Sequence, residues 1–380
     1  MPVRALEFYS GIGGLHRALE GSHVDGQVVR AFDWDQTACR VYALNNGKDI
    51  VQKVDISTLD ADELASHRAD LWLMSPSCQP YTVLNPLAKG AEDPRAKSFI
   101  HIIEDILPRM ASNGSHPQYM IIENVAGFET SSTRQRLLAA LSDLGYNVLE
   151  LLLTPLQFGI PNSRLRYYLL AKAQPMTFSH VLPASAHTVW RHIPGKGSDW
   201  VDNRQRPGPQ EEVADDQTVH SIEEIRRYLN PPLKDDQAHP STVPDRVLEK
   251  WGRLFDIILP SARRSCCFTR GYSKMAERSG SVLQMNEELD TTRVFDDFLA
   301  AQARGQVNAV RMLDPLRLRY FTPTELLRIF CFLPTNTDAE RGRQTQFYWP
   351  VDLSTKAKYR LIGNSVNVRV VTDLINYLFE

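Results

Sequence analysis

A glycine-rich turn, a cysteine framed by prolines, an acid ending an apolar run and a pair of arginines are the parts of this sequence best suited to chemistry. The turn is Glu7-Phe8-Tyr9-Ser10-Gly11-Ile12-Gly13-Gly14, leading into a helical stretch from Leu15. Glycines there permit positive φ and let a ligand approach the backbone closely. His16 stands where the dinucleotide pattern GxGxxG would have its third glycine. Without that glycine a helix cannot pack tightly under a pyrophosphate. A nicotinamide cofactor therefore loses ground, and a nucleoside cofactor without pyrophosphate, such as S-adenosylmethionine, gains it. Asp33 ends the next β-prone run about 20 residues on, where a carboxylate can accept from both ribose hydroxyls. A tight turn and a helix-capping Asp would use the same residues, and taken alone neither reading is ahead.

Cys78 lies in Ser75-Pro76-Ser77-Cys78-Gln79-Pro80, where the two prolines fix the local backbone. A free cysteine is most often a small buried hydrophobe, and only its place past a strand end argues for chemistry. Glu123 closes the apolar run Met120-Ile121-Ile122, a place where a single acid is usually a cap. Arg164 and Arg166, two positions apart, can face one side of a strand. They would guard a solvated edge strand or, if near Cys78, favour its thiolate and hold a carbonyl oxygen.

These residues need elements that bring them together. β-prone runs occupy 3–8, 28–33, 71–74, 119–123, 148–153 and 167–171. Helical spacing fills 98–110, with Phe99, Ile102, Ile103, Ile106, Leu107 and Met110 on one face. It fills 131–145 as well, where Ser131 or Ser132 can cap the start and Gly145 end the helix. The alternation predicts an α/β fold, a Rossmann-like, mostly parallel sheet with helices on both faces. The last two runs have no helical pattern between them and are expected as an antiparallel hairpin at the sheet edge. Gly11–Gly14, Asp33, Cys78 and Glu123 then all fall at carboxyl ends of strands, the edge along which open α/β sheets bind ligands. Four such coincidences are harder to explain as caps than one.

After Ala173 the texture changes. Prolines and the acidic clusters Glu211–Glu212 and Asp215–Asp216 predict a smaller, loop-rich lobe over 174–312, with disorder near 200–220. Helical pattern returns from Leu313, so 313–380 is expected to pack back onto the lobe formed by 1–173. At roughly 100–200 residues per domain, 380 residues give two or three domains. Hydrophobic residues at 43% and charged residues at 23% exclude collagen, coiled coil and wholesale disorder. The net charge of −2 leaves any nucleic-acid partner to local patches. No apolar run nears the ~18 residues of a membrane span, and the start lacks the pattern of a signal peptide. The five cysteines (Cys39, Cys78, Cys266, Cys267 and Cys331) form no CxxC pair and read as reduced thiols, with no metal site expected.

Taken in order, Phe8–Gly14, Pro76–Pro80, Glu123–Val125, Arg164–Arg166 and Gly363-Asn364-Ser365-Val366 resemble the motif series of cytosine-C5 methyltransferases over nearly the whole chain. Cys267-Phe268-Thr269-Arg270-Gly271-Tyr272 resembles the Cys-Phe-Thr signature of the DNA-methyltransferase-2-like enzymes, and Ile160–Tyr167 is similar to another stretch of that subfamily. Those enzymes methylate cytosine 38, in the anticodon loop of aspartate tRNA. One departure is Ser77, where the family usually has the second proline of Pro-Pro-Cys. It loosens the backbone beside Cys78 and bears on rate.

The resemblance implies that Cys78 is the nucleophile that adds to C6, that Glu123 serves N3 of the base, and that Arg166, supported by Arg164, holds O2. It implies S-adenosylmethionine as methyl donor and S-adenosylhomocysteine as product. The cofactor would be bound by Phe8, Ser10, Gly11, Ile12, Gly13, Gly14, Asp33 and Trp34, with Asp55 and Ile56 at the adenine and Ser75, Asn364, Ser365 and Val366 closing the pocket. The lobe at 174–312 becomes a target-recognition domain in which Cys267, Phe268, Thr269, Arg270, Gly271 and Tyr272 meet the tRNA. Phe268 and Tyr272 are expected to stack on unpaired bases. Arg263, Arg264, Arg270 and Lys274 supply positive charge, with Arg317/Arg319 and Lys356/Lys358/Arg360 as weaker cationic groups. A DNA cytosine-C5 methyltransferase and a catalytically weak nucleic-acid-binding relative are the alternatives. The protein is expected to be an intracellular monomer, in the cytoplasm or nucleus, without membrane contact.

Overall fold

The computed structural model describes residues 2–81, 90–181, 188–197, 199, 222–231, 239–335 and 346–380. The 200–220 stretch, with its acidic clusters, lies outside them. The chain opens with β1 (Val3–Phe8), α1 (Gly14–Glu20), β2 (Gly26–Asp33), α2 (Gln36–Asn46), β3 (Val51–Lys53), α3 (Ala61–Ser66) and β4 (Leu71–Met74). It continues through α4 (Lys97–His101), α5 (Leu107–Ser112), β5 (Tyr119–Val125), α6 (Ser132–Asp143), β6 (Tyr146–Leu153), β7 (Arg166–Ala173) and β8 (Val189–Trp190). Among the described residues the strands form a sheet of order β3-β2-β1-β4-β5-β7-β6-β8.

β1 to β5 run parallel, whereas β7 is antiparallel to both β5 and β6. The expected hairpin therefore forms, but not as the edge. β7 is inserted beside β5, and the short β8 runs parallel to β6 at the margin. The Leu71–Met74 run shows no alternation because both faces of β4 are covered. Leu71 and Leu73 enter one core with α1 and α2, while Trp72 and Met74 enter the other with α3 to α6.

One local departure has a clear cause. The helix expected over 98–110 is broken into α4, a π-type turn at Ile102–Ile106, and α5. Pro108 has no N–H for the regular ladder, and a wider turn absorbs the gap. α6 matches its reading: Ser131 accepts from the Arg134 N–H, and Gly145 takes φ +72°.

Further along the chain come α7 (Asp245–Trp251), β9 (Asp256–Ile258), β10 (Ser281–Gln284), α8 (Thr291–Ala303) and β11 (Leu318–Arg319), with these strands in a separate sheet of order β11-β10-β9. A core of their own joins Leu248, Val282, Phe295 and Phe298 and extends to Leu313, Leu316 and Leu318. The chain then forms α9 (Pro323–Ile329), α10 (Thr355–Gly363) and α11 (Val368–Leu378). α11 lies against α1, with the Thr372 hydroxyl donating to the Ala18 carbonyl at 3.2 Å, so the C-terminal segment returns to the large sheet. Among the described residues no helix is long and apolar enough to cross a membrane.

Candidate active site

The ends of β1 and β2 build one wall. Tyr9, Gly11 and Gly13 all have positive φ (58°, 54° and 84°), which turns the chain sharply into α1. Gly13, at φ 84°, adopts a conformation that favours glycine, and a Cβ there would fall 2.5 Å from Asn46 Nδ2 and 3.3 Å from the Tyr42 ring. Asp33 clamps this turn: one carboxylate oxygen accepts from the Gly11 N–H and the other from the Asp35 N–H, both at 2.8 Å. Each oxygen keeps capacity for one further donor, as a ribose diol requires. Burial pushes the Asp33 carboxyl up, and those two N–H groups pull it back.

The residues present fit a nucleoside methyl donor. The Ser10 hydroxyl is buried with no partner among the described residues. Trp34, beside Asp33, is 74% exposed, an open indole face for an adenine. Asp55 accepts from both the N–H and the hydroxyl of Ser57, which keeps its carboxyl below the usual range, and Ile56 is buried next to it. The Ser75 hydroxyl donates to the Tyr9 carbonyl at 3.1 Å. Ser365 and Val366 close over Gly14, where a Cβ would fall 2.9 Å from Ser365 Oγ and 2.7 Å from Val366 Cγ2. Phe8 is not part of this surface. It is fully buried, with its ring 5.3 Å from Phe32 and 5.1 Å from Trp72, because odd and even positions of β1 face different cores. The aromatic at the turn is Tyr9, whose hydroxyl meets Ser98 at 3.0 Å.

The ends of β4, β5 and β7 build the opposite wall. Cys78 is exposed just beyond β4, and the chain after Tyr81 soon leaves the described residues. Asn124 Nδ2 donates to the Pro76 carbonyl at 3.2 Å and so holds the backbone that Ser77 leaves less constrained. Desolvation pushes the Cys78 thiol up, Arg166 pulls it down most, Glu123 raises it, and Arg164 and Arg270 lower it. Arg166 Nε lies 3.4 Å from the Glu123 carboxylate. Burial raises the Glu123 pKa against the pull of Arg166 and Arg164.

Arg164 departs from its expected place at the base. Its terminal nitrogens donate to the carbonyls of Phe268 (2.9 Å), Gly363 (3.1 Å) and Ser365 (2.6 Å), so its fork is occupied by main chain. Cys267 lies between the two arginines, its Sγ 3.4 Å from Arg164 Nη1 and 3.7 Å from Arg166 Nη2. Burial alone would raise this thiol, but Arg166 and Arg164 together hold it below its ordinary value.

The expected stacking platform is overturned. Phe268 is fully buried against Tyr272 and Phe321, and Tyr272 is 2% exposed. The Tyr272 hydroxyl donates to the Ser281 carbonyl and accepts from the Phe321 N–H. Both rings are core, since a polar tip satisfied inside the protein leaves no face for a base. Thr269 and Gly271 shape the loop, with the Thr269 hydroxyl accepting from the Gly271 N–H at 3.3 Å, while Arg270 and Lys274 are exposed.

Other cations are already engaged. Arg319 is buried on Glu325, Arg360 pairs with Asp35 beside Asn364, and Arg263 binds Ile222 and Glu224. Arg95, which bonds to both Asp93 and Gln79 next to Cys78, was not signalled by any spacing. Asn124 was within reach, being adjacent to Glu123 at the same strand end.

The glycine turn and Asp33 fit a nucleoside methyl donor, and the thiol of Cys78, the carboxyl of Glu123 and the guanidinium of Arg166 lie along the same sheet edge. Residues 3–380 match the C-5 cytosine-specific DNA methylase family, and the chain belongs to it. It is 35% identical over 408 residues to the tRNA (cytosine(38)-C(5))-methyltransferase of Bos taurus, with 100% of both chains covered. The DNA (cytosine-5)-methyltransferase of Dictyostelium discoideum is 34% identical, covering 99% of this chain and 94% of that one. The crystal structure of S. pombe Dnmt2 methyltransferase superposes with a TM-score of 0.74 at 33% identity, covering 100% of this chain and 98% of that one.

Proposed function

We propose that the protein methylates C5 of a cytosine in a tRNA anticodon loop, cytosine 38 of aspartate tRNA, inside the cell. The observation that carries the chemistry is the convergence of Cys78, Glu123 and Arg166 from the ends of three strands, with Arg166 touching the Glu123 carboxylate and acting on the Cys78 thiol. Cytosine C5 is a weak nucleophile. The Cys78 sulfur forms a bond to C6, and the ring electrons move toward O2 and N3. Glu123 gives its proton to N3, and Arg166 holds the developing charge on O2. C5 then gains the methyl group and loses its proton to solvent, the C6–S bond breaks to return the thiolate, and N3 gives its proton back to Glu123. S-adenosylmethionine would be held by Gly11–Gly14, Asp33 and Trp34 and would supply the methyl from its sulfonium, leaving S-adenosylhomocysteine.

The names of the relatives support RNA as the substrate. A loop nucleotide also suits a site at the strand ends, because an unpaired base leaves its stack at lower cost than one in a duplex. The second reading, a DNA substrate, is favoured by the name of the Dictyostelium relative. Incubation with labelled S-adenosylmethionine, in parallel with total tRNA and duplex DNA at matched salt, tests both. Label in aspartate tRNA is expected, and label in DNA alone would overturn the proposal.

A further inference from the structure

Cys78 sits on a turn that is anchored on both sides. Upstream, the Pro76 carbonyl accepts from Asn124 Nδ2. Downstream, the Tyr81 N–H donates to the Cys78 carbonyl at 3.0 Å, and the buried Tyr81 ring rests 4.8 Å from that of Phe128. Between these anchors lies Ser77, without the ring that would fix the backbone beside Cys78. Among the described residues nothing accepts the Ser77 N–H, so a proline there would give up no hydrogen bond. A further constraint comes from 16 residues beyond Gln79. Arg95 lays its Nε and Nη2 on the two carboxylate oxygens of Asp93, at 2.8 Å and 2.6 Å, and Asp93 is 4% exposed. The same carboxylate accepts from the Arg95 N–H at 3.0 Å, so the guanidinium is held in a fixed plane. Its remaining nitrogen, Nη1, donates to Oε1 of Gln79, the residue after Cys78.

We propose that Arg95 is a positioning residue that, oriented by Asp93, holds Gln79 and with it the Cys78 backbone that Ser77 leaves free to rotate. The inference rests on the proposed role of Cys78 as nucleophile. Bond formation to a ring carbon needs the sulfur at a set distance and angle, and an error of about 1 Å can cost on the order of 100-fold in rate. A guanidinium whose side chain is 44% exposed would also suit an RNA phosphate. The two roles part at Gln79: a brace acts through it, and a phosphate contact does not.

Arg95→Lys keeps the charge and loses the fork. On the nucleic acid that the wild type methylates, it should lower kcat about ten-fold and leave the KM for that substrate and the S-adenosylmethionine Kd within three-fold of wild type. Gln79→Ala should lower kcat to a similar extent, and the double variant should fall no more than two-fold below the worse single one. Ser77→Pro, which restrains the same backbone by another means, should bring Arg95→Lys back to within three-fold of Ser77→Pro alone. A general loosening of the fold would not be suppressed in that way. Multiplying losses in the Gln79 and Arg95 double variant, or a loss confined to KM, would assign Arg95 to the substrate and overturn the proposal. So would an Arg95→Lys protein with wild-type kcat, or a folded Ser77→Pro protein that brings no rescue. If Ser77→Pro does not fold, the cycle between Gln79 and Arg95 decides alone. Methyl transfer that survives Cys78→Ala removes the nucleophile reading and this inference with it, whereas an essential Cys78 beside a neutral Arg95→Lys removes this inference only.

Discussion

Cys78 is under opposed influences, since desolvation raises its thiol while Arg166 lowers it, and its role is therefore best tested by removal. Cys78→Ala should abolish methyl transfer and leave S-adenosylmethionine affinity within a few-fold, because in the proposed mechanism the thiol meets the base and not the cofactor. More than a few per cent of the wild-type rate would remove it from the nucleophile's place. Asp33→Ala should weaken cofactor binding by about 1.5–3 kcal/mol, the scale of hydrogen bonds to a charged group, and calorimetry reads this directly. Beneath the same turn, Glu7 is wholly buried and accepts from the Tyr42 hydroxyl (2.8 Å) and the His16 N–H (3.3 Å). Burial raises its pKa from 4.5 to about 7, against the pull of His16 and Tyr42. The folded protein therefore holds a proton that the unfolded chain has lost. This contribution to stability is complete below pH 4.5 and disappears as pH rises through about 7. At about 1.4 kcal/mol per pH unit it amounts to roughly 3 kcal/mol. Urea unfolding at pH 5 and pH 8 should show Glu7→Gln losing much of the wild type's fall, and an unaltered pH difference would contradict it.

At the scale of elements, α9 shows how one side chain secures three segments. Glu325 is fully buried and accepts from Arg319 (2.8 and 2.9 Å), from the Thr322 N–H at the start of its own helix (2.7 Å) and from the Asn230 N–H (2.9 Å). Glu325→Ala would leave Arg319 charged and unpaired in the interior, a loss of about 3–5 kcal/mol. A shift of less than 1 kcal/mol in the denaturation midpoint analysis would show that water replaces the carboxylate. Glu325 was not legible in the sequence as a core residue, because its partners come from distant segments. The strands of the large sheet were legible, since apolar runs bounded by turns need no long-range information. So was the placement of Asp33, Cys78 and Glu123 at strand ends, which follows once the strands are counted. The insertion of β7 beside β5 was not, because antiparallel pairing leaves no mark in either strand about which neighbour it chooses. Phe268 and Tyr272 misled for a related reason: an aromatic flanked by cations reads the same whether its ring faces a base or, as here, Phe321 and Ser281.

For the molecule as a whole, a net charge of −2 means that RNA cannot be gathered by a general positive field. Arg263, Arg319 and Arg360 are engaged with the protein's own groups, whereas Arg270 is exposed and its charge is felt at Cys78, so on the proposed reading Arg270 would carry more of that task. Arg270→Ala should lower methylation of aspartate tRNA ten-fold or more, leave S-adenosylmethionine binding unchanged, and reduce the salt dependence of tRNA binding by about 0.7 in log–log slope. Normal tRNA kinetics in that variant would move the contact elsewhere on the lobe. The pairing of α1 with α11 has another consequence. Thr372 and the Ala18 carbonyl that it bonds are 354 residues apart in the chain. At about 5–20 residues per second, a ribosome takes roughly 20–70 s to make the second after the first. Throughout that interval the sheet face shared by these helices has emerged but lacks its cover, so this core is completed only after Thr372 has been made.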